Sequence, residues 1–127
     1  MGELLKDEHL LPDYVLTSSA RRARKTADHV ALSAGFRGET RITSNLYAAN
    51  AAQLATSLAE VPETFSRVLL IAHNPGLEEL LECWTGDYLP IPTAAIVHLE
   101  LDIANWRDVS LQTPVRLLHV WQPRELS

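Results

Sequence analysis

Val68 to Ala72 form an unbroken apolar run, VLLIA, without the alternation of a half-exposed strand. The run predicts a strand buried on both faces. Beyond it, Leu77, Leu80, Leu81 and Trp84 fall at i, i+3, i+4 and i+7, one face of a helix. Between the two lie His73, Asn74, Pro75 and Gly76. Asn74 suits an N-cap and Pro75 the first helical position. His73 is thus expected where a buried strand ends and a helix begins. Free backbone N–H groups and the helix dipole favour an anion there, and in α/β proteins this junction is the usual ligand site. Two readings of His73 stay open: a core histidine satisfied by a backbone partner, or a ligand-binding side chain.

The remaining pattern alternates between strand and helix. Gly2 to Leu10 reads as a short helix with Leu4 and Leu5 inward, broken at Leu11–Pro12–Asp13. Tyr14 to Leu16 has β character, closed by Thr17, Ser18 and Ser19. A helix follows, capped by Ser18 or Ser19, with Ala23, Ala27, Val30, Ala31 and Ala34 as its buried face and Gly35 and Gly38 at its end. Thr40 to Thr43 is a weak strand and Asn45 to Asn50 a loop. Ala51, Leu54, Ala55 and Leu58 face inward on a helix stopped near Pro62. After the central strand and helix, Gly86 to Pro92 is an irregular link and Ala94 to Leu101 a strand. Asn105 to Asp108 is a turn or a single helical turn around Trp106, and Val115 to Trp121 a final strand. Such alternation implies an α/β fold, a mostly parallel sheet with helices on both faces. The last two strands lack a normal helix between them and should be antiparallel or at an edge.

Composition narrows the classes. A chain of 127 residues, 46% hydrophobic, predicts one domain with a real core. The formal charge of −5 argues against a nucleic-acid surface. The single cysteine, Cys83, excludes an internal disulfide and suits a reducing compartment; on its helix it is expected to pack as a small hydrophobe. No apolar run reaches a membrane span of ~20 residues, and no signal-peptide pattern is present, so a cytoplasmic protein is expected. His9, His29, His98 and His119 show no ligand-like spacing, so neither a metal nor another cofactor is expected.

Arg21, Arg22, Arg24 and Lys25 follow the Thr17–Ser19 strand end. For three of them a solvated helix start suffices. Arg22 shares a stripe with Thr26 and His29, beside the alanine face. Helical side chains lean toward the N-terminus, which brings Arg22 back to the strand end, where Thr17 and Ser18 should also reach the rim. If the strands ending at Thr17 and His73 share one parallel sheet, Arg22 and His73 reach the same rim. Arginine then offers a planar fork to phosphate oxygens, and a histidine donates hydrogen bonds or transfers protons.

Ser18-x-x-x-Arg22-Ala23-x-x-Thr26-Ala27, followed some fifty residues on by Ile71-Ala72-His73-Asn74-Pro75-Gly76, resembles the histidine phosphatase superfamily, most of all its small SixA-type phosphohistidine phosphatases. Leu46–Tyr47, Pro92–Thr93–Ala94–Ala95, Trp106 and Pro123–Arg124–Glu125–Leu126 fit that subfamily as well. The resemblance implies a phosphoglycerate-mutase-like three-layer sandwich with a phosphate pocket at the carboxyl ends of the strands. It matches Arg22 and His73 to the family's second pocket arginine and second pocket histidine, both on phosphoryl oxygens. Thr93, a loop hydroxyl before a strand, is a third candidate for the same rim. The implied substrate is a protein phosphohistidine or a small phosphomonoester, hydrolysed without a metal.

The family also opens with a central strand ending in Arg-His-Gly, whose histidine attacks phosphorus. No Arg-His-Gly occurs in this sequence. The match begins at Met1 inside the family's first helix, which implies an N-terminal truncation of the single domain 1–127. Losing the nucleophile of a concerted site costs on the order of 10⁶ in rate. Losing a buried strand of five large apolar side chains removes roughly 8–15 kcal/mol of transfer energy, against a whole-domain stability of about 5–15 kcal/mol. The strands ending at Thr17 and His73 would then each expose an apolar edge to a gap, inviting aggregation, strand pairing or a non-specific dimer. Three functions compete: a phosphatase whose nucleophile lies upstream, a non-catalytic module that captures phosphate or a phosphoprotein, and a functionless fragment. Glu78, Glu79 and Glu82 read as a solvated helix face, and no general acid is assigned.

Overall fold

The structure is a computed structural model that describes residues 5–6, 10–36, 38–92 and 95–121. Of the expected first helix, Leu5 and Lys6 are helical, and Leu4 lies outside the described residues. The chain forms two compact units, one of residues 1–47 and 64–72, the other of 48–63 and 73–127.

The first unit is built on β1 (Tyr14–Ser18), α1 (Arg21–Ala34), β2 (Glu39–Thr43) and β3 (Val68–Ile71). Its strands form a parallel sheet in the order β2-β1-β3. β1 is therefore paired on both edges, and all five of its residues are buried. α1 packs on β1 and β3 and buries Ala23, Ala27, Val30 and Ala34 of the face read from the sequence, while Ala31 is half-buried. Gly35 ends α1 at φ 69°, a left-handed value that glycine adopts without steric cost. Ala20, not Ser18 or Ser19, holds the N-cap position, while the Ser18 hydroxyl accepts the Ala20 N–H at 3.1 Å.

β3 departs from expectation. All four of its residues are half-buried, not fully buried. The reason is topological: β3 pairs with β1 on one side, and among the described residues its other edge carries no strand. The open edge expected at β1 is absent, because β1 is flanked by β2 and β3, while the one expected at β3 stands among the described residues.

At the other end of these strands, the Asp13 carboxylate accepts the Ser66 and Arg67 N–H groups, each at 2.9 Å, and the Ser66 hydroxyl at 3.3 Å. The start of β1 is thereby tied to the start of β3. Burial works to raise the Asp13 pKa, but the bonds from Ser66 and Arg67 outweigh it and hold the carboxyl below the usual aspartate value. A lowered folded-state pKa gives stability that is present above the unfolded value of about 3.9 and is lost as pH falls through the folded one. Asp13→Ala is expected to cost about 1–2 kcal/mol near neutrality and less at pH 2–3, read by denaturant melts at both pH values. An equal loss at both would contradict this role.

The second unit contains α2 (Ala51–Ala59), α3 (Gly76–Thr85), β4 (Ile96–Leu101) and β5 (Val115–Trp121). A capping box starts α2: Asn50 Oδ1 accepts Gln53 N–H and Gln53 Oε1 accepts Asn50 N–H, both at 2.9 Å. α2 buries Leu54, Ala55 and Leu58 and packs on α3, which buries Leu80 and Leu81. The approach is tight at Gly76, where a Cβ would collide with the Ala49 carbonyl. Cys83 lies on the flank of the apolar stripe of α3 and is exposed, correcting its expected packing. β4 and β5 form an antiparallel ribbon with a bulge between His98 and Leu99. The Glu63 carboxylate accepts the Trp106 and Arg107 N–H groups at the short 3-10 helix Trp106–Asp108. No helix among the described residues is long and apolar enough to cross a membrane.

Candidate functional site

Each candidate residue is set by a strand end. In the first unit, β1 and β3 run parallel in register, Tyr14 opposite Val68 through Thr17 opposite Ile71. Their carboxyl ends therefore lie at the same rim of one sheet. From β1 the chain passes Ser19 and Ala20 into α1, whose second residue is Arg22. From β3 it passes Ala72 to His73, the first residue of the second unit.

Arg22 is exposed, and its carbonyl accepts the Thr26 hydroxyl at 3.1 Å. An open groove of about 770 Å³ runs along α1, and its described lining is one stripe: Arg21, Arg22, Lys25, Thr26, His29, Val30 and Ser33. The stripe of Arg22, Thr26 and His29 read from helical spacing is thus real. It presents several cationic or hydrogen-bonding side chains to one opening. Thr17 and Ser18 do not share it. Both are 0% exposed, with the Thr17 hydroxyl donating to the Ser18 carbonyl at 3.2 Å. They stand at the carboxyl end of β1 but are buried there and do not line the groove.

His73 is half-buried, and its carbonyl accepts the Leu77 N–H at 3.1 Å, which joins it to the first turn of α3. The helix begins one residue later than its sequence implies, with Pro75 at the N-cap position. Asn74 does not cap it. Its side-chain amide donates instead to the Ile91 carbonyl at 2.7 Å. Glu78, expected to face solvent, accepts the Ile91 N–H at 2.7 Å and the Tyr88 hydroxyl at 3.5 Å. Sequence reasoning had no signal for these bonds, since the partner is a backbone amide in an irregular segment. Thr93 lies outside the described residues. No group of three or more His, Cys, Asp or Glu side chains among the described residues is arranged to hold a metal ion.

The fold is that of the SixA phosphohistidine phosphatases, a mixed α/β architecture of the phosphoglycerate-mutase-like kind. Among similar solved structures is the protein histidine phosphatase SixA complexed with tungstate, at a TM-score of 0.81 and 21% identity, the match covering 99% of this chain and 78% of that one. A second is a protein described as a phosphohistidine phosphatase SixA from Agrobacterium tumefaciens, at a TM-score of 0.79 and 23% identity over 96% of this chain and 75% of that one. A similarly described protein from Nakamurella multipartitia follows, at 0.71 and 23% identity over 95% and 77%. No family model matches the chain, and no curated protein matches it.

Proposed function

We propose that this chain provides the phosphoryl-binding part of a phosphohistidine phosphatase, with Arg22 and His73 holding oxygens of one phosphoryl group and Thr93 adding a third contact. The observation that carries the reading is the parallel, in-register pairing of β1 with β3, whose carboxyl ends lead to both residues. The tungstate in one SixA structure supports it, because tungstate is a tetrahedral oxyanion like phosphate. In this reading the residues 1–127 act as one domain. The guanidinium of Arg22 grips two oxygens while the His73 imidazole donates to another, neutralising charge that spreads over them in the transition state. Substrates are a protein phosphohistidine or a small phosphomonoester. Neither nucleic acid nor membrane takes part, and the setting is cytoplasmic.

Hydrolysis through a phosphohistidine intermediate needs an in-line histidine, and the Arg-His-Gly that carries it in the family has no counterpart in these 127 residues. That favours a second reading for the chain as it stands: capture of phosphate or of a phosphoprotein without turnover. Calorimetric titration with tungstate, together with an assay of phosphohistidine hydrolysis, tests both. Binding with negligible hydrolysis is expected. Rapid hydrolysis would mean that another group among these residues attacks phosphorus, and no binding would overturn the site. The edge of β3 that carries no strand among the described residues belongs to the same proposal: it pairs with a second copy, so the sample is expected to self-associate with concentration. Sedimentation as a single monomer throughout would contradict that.

A further inference from the structure

Ile91 is gripped on both of its backbone polar groups by side chains from a single turn. Asn74, next to His73, takes the carbonyl, and Glu78, on the first turn of α3, takes the N–H, each at 2.7 Å. The other oxygen of Glu78 receives the Tyr88 hydroxyl at 3.5 Å. One carboxylate therefore pins two points of the segment 86–92, and an amide pins the second of them again. The segment has no regular structure of its own, and its seven residues include Pro90 and Pro92. The turn that presents His73 uses two of its side chains to hold the segment by its backbone.

What is held is mostly apolar: Tyr88, Leu89, Pro90, Ile91 and Pro92. Tyr88 remains 62% exposed although its hydroxyl reaches Glu78. The ring, carried on a segment held at Ile91 and open along its side, presents an aromatic contact surface beside the turn of His73. A bare oxyanion gains nothing from such a surface, whereas the body of a polypeptide carrying the phosphoryl group does.

We infer that Asn74 and Glu78 are positioning residues that clamp the 86–92 segment to the His73 turn, and that Tyr88 on that segment is a specificity-determining contact for the group bearing the phosphoryl. The inference rests on the phosphoryl-binding reading of His73. The clamp acts on the carrier of the phosphoryl group and not on its oxygens.

The test compares two probes by calorimetry: tungstate, which has no carrier, and a peptide bearing a stable phosphoryltriazole mimic of phosphohistidine. Glu78→Ala is expected to weaken the peptide about tenfold while tungstate binding stays within about twofold. Glu78→Gln restores the peptide, because the glutamine carbonyl still accepts the Ile91 N–H. Tyr88→Ala, at an exposed position with no part in the core, reproduces the loss for the peptide alone and decides the matter if Glu78→Ala fails to fold. Equal weakening of both probes, or no change in either, would overturn the inference while leaving the phosphoryl site standing. Failure of the wild-type chain to bind tungstate would overturn the site itself, and this inference with it.

Discussion

Arg22→Ala is expected to weaken tungstate or phosphate binding by roughly 10- to 100-fold, the loss of one bidentate, charge-assisted contact. The melting temperature should hardly move. Arg22 is exposed and lies off the buried face of α1, which is Ala23, Ala27, Val30 and Ala34. Surface substitutions of this kind change stability by about 0.5 kcal/mol or less. Arg22→Lys should fall between, keeping the charge but losing the planar fork. Arg21→Ala, in the same groove and outside the proposed site, serves as the control for general loss of positive charge. Equal effects at the two positions would reduce the site to a diffuse basic surface.

The second large effect concerns the sheet. Leu16→Ala should destabilise the chain by about 2–5 kcal/mol. Leu16 sits at the middle of β1, is 1% exposed, and pairs with Arg41 of β2 on one side and Leu70 of β3 on the other. Water has no ready access to the cavity, because the side chain is buried on its face of the sheet and the paired strands on both edges hold β1 in place. For a domain whose whole stability is about 5–15 kcal/mol, the loss is a large fraction and approaches unfolding at the low end. Leu70→Ala on the half-buried β3 should cost less. The comparison is read from urea midpoints at a common slope. Equal costs would contradict the difference in burial between the two strands.

The elements that sequence alone reveals are those whose periodicity is one-sided. The alanine stripe of α1 and the Leu54–Leu58 face of α2 follow from spacing, because an amphipathic surface repeats with the backbone. β3 shows where this fails. Five apolar residues in a row announce a strand but do not count its neighbours, and a strand paired on one edge reads like one paired on two. The site divides in the same way. Arg22, Thr26 and His29 lie on one stripe, so their shared groove is legible. Asn74 and Glu78 are not, since their partner is the backbone of Ile91, seventeen residues beyond Asn74. A helix start rich in acidic side chains looks solvated until the segment that folds against it is known.

A double-mutant cycle on tungstate binding tests most directly whether Arg22 and His73 hold one anion. Wild type, Arg22→Ala, His73→Ala and the double variant are titrated under one buffer condition. A single tungstate per chain is predicted, with both single variants weakened and a coupling energy of about 1 kcal/mol or more between them, as for groups sharing a ligand. Strictly additive losses, or binding that survives His73→Ala unchanged, would contradict it.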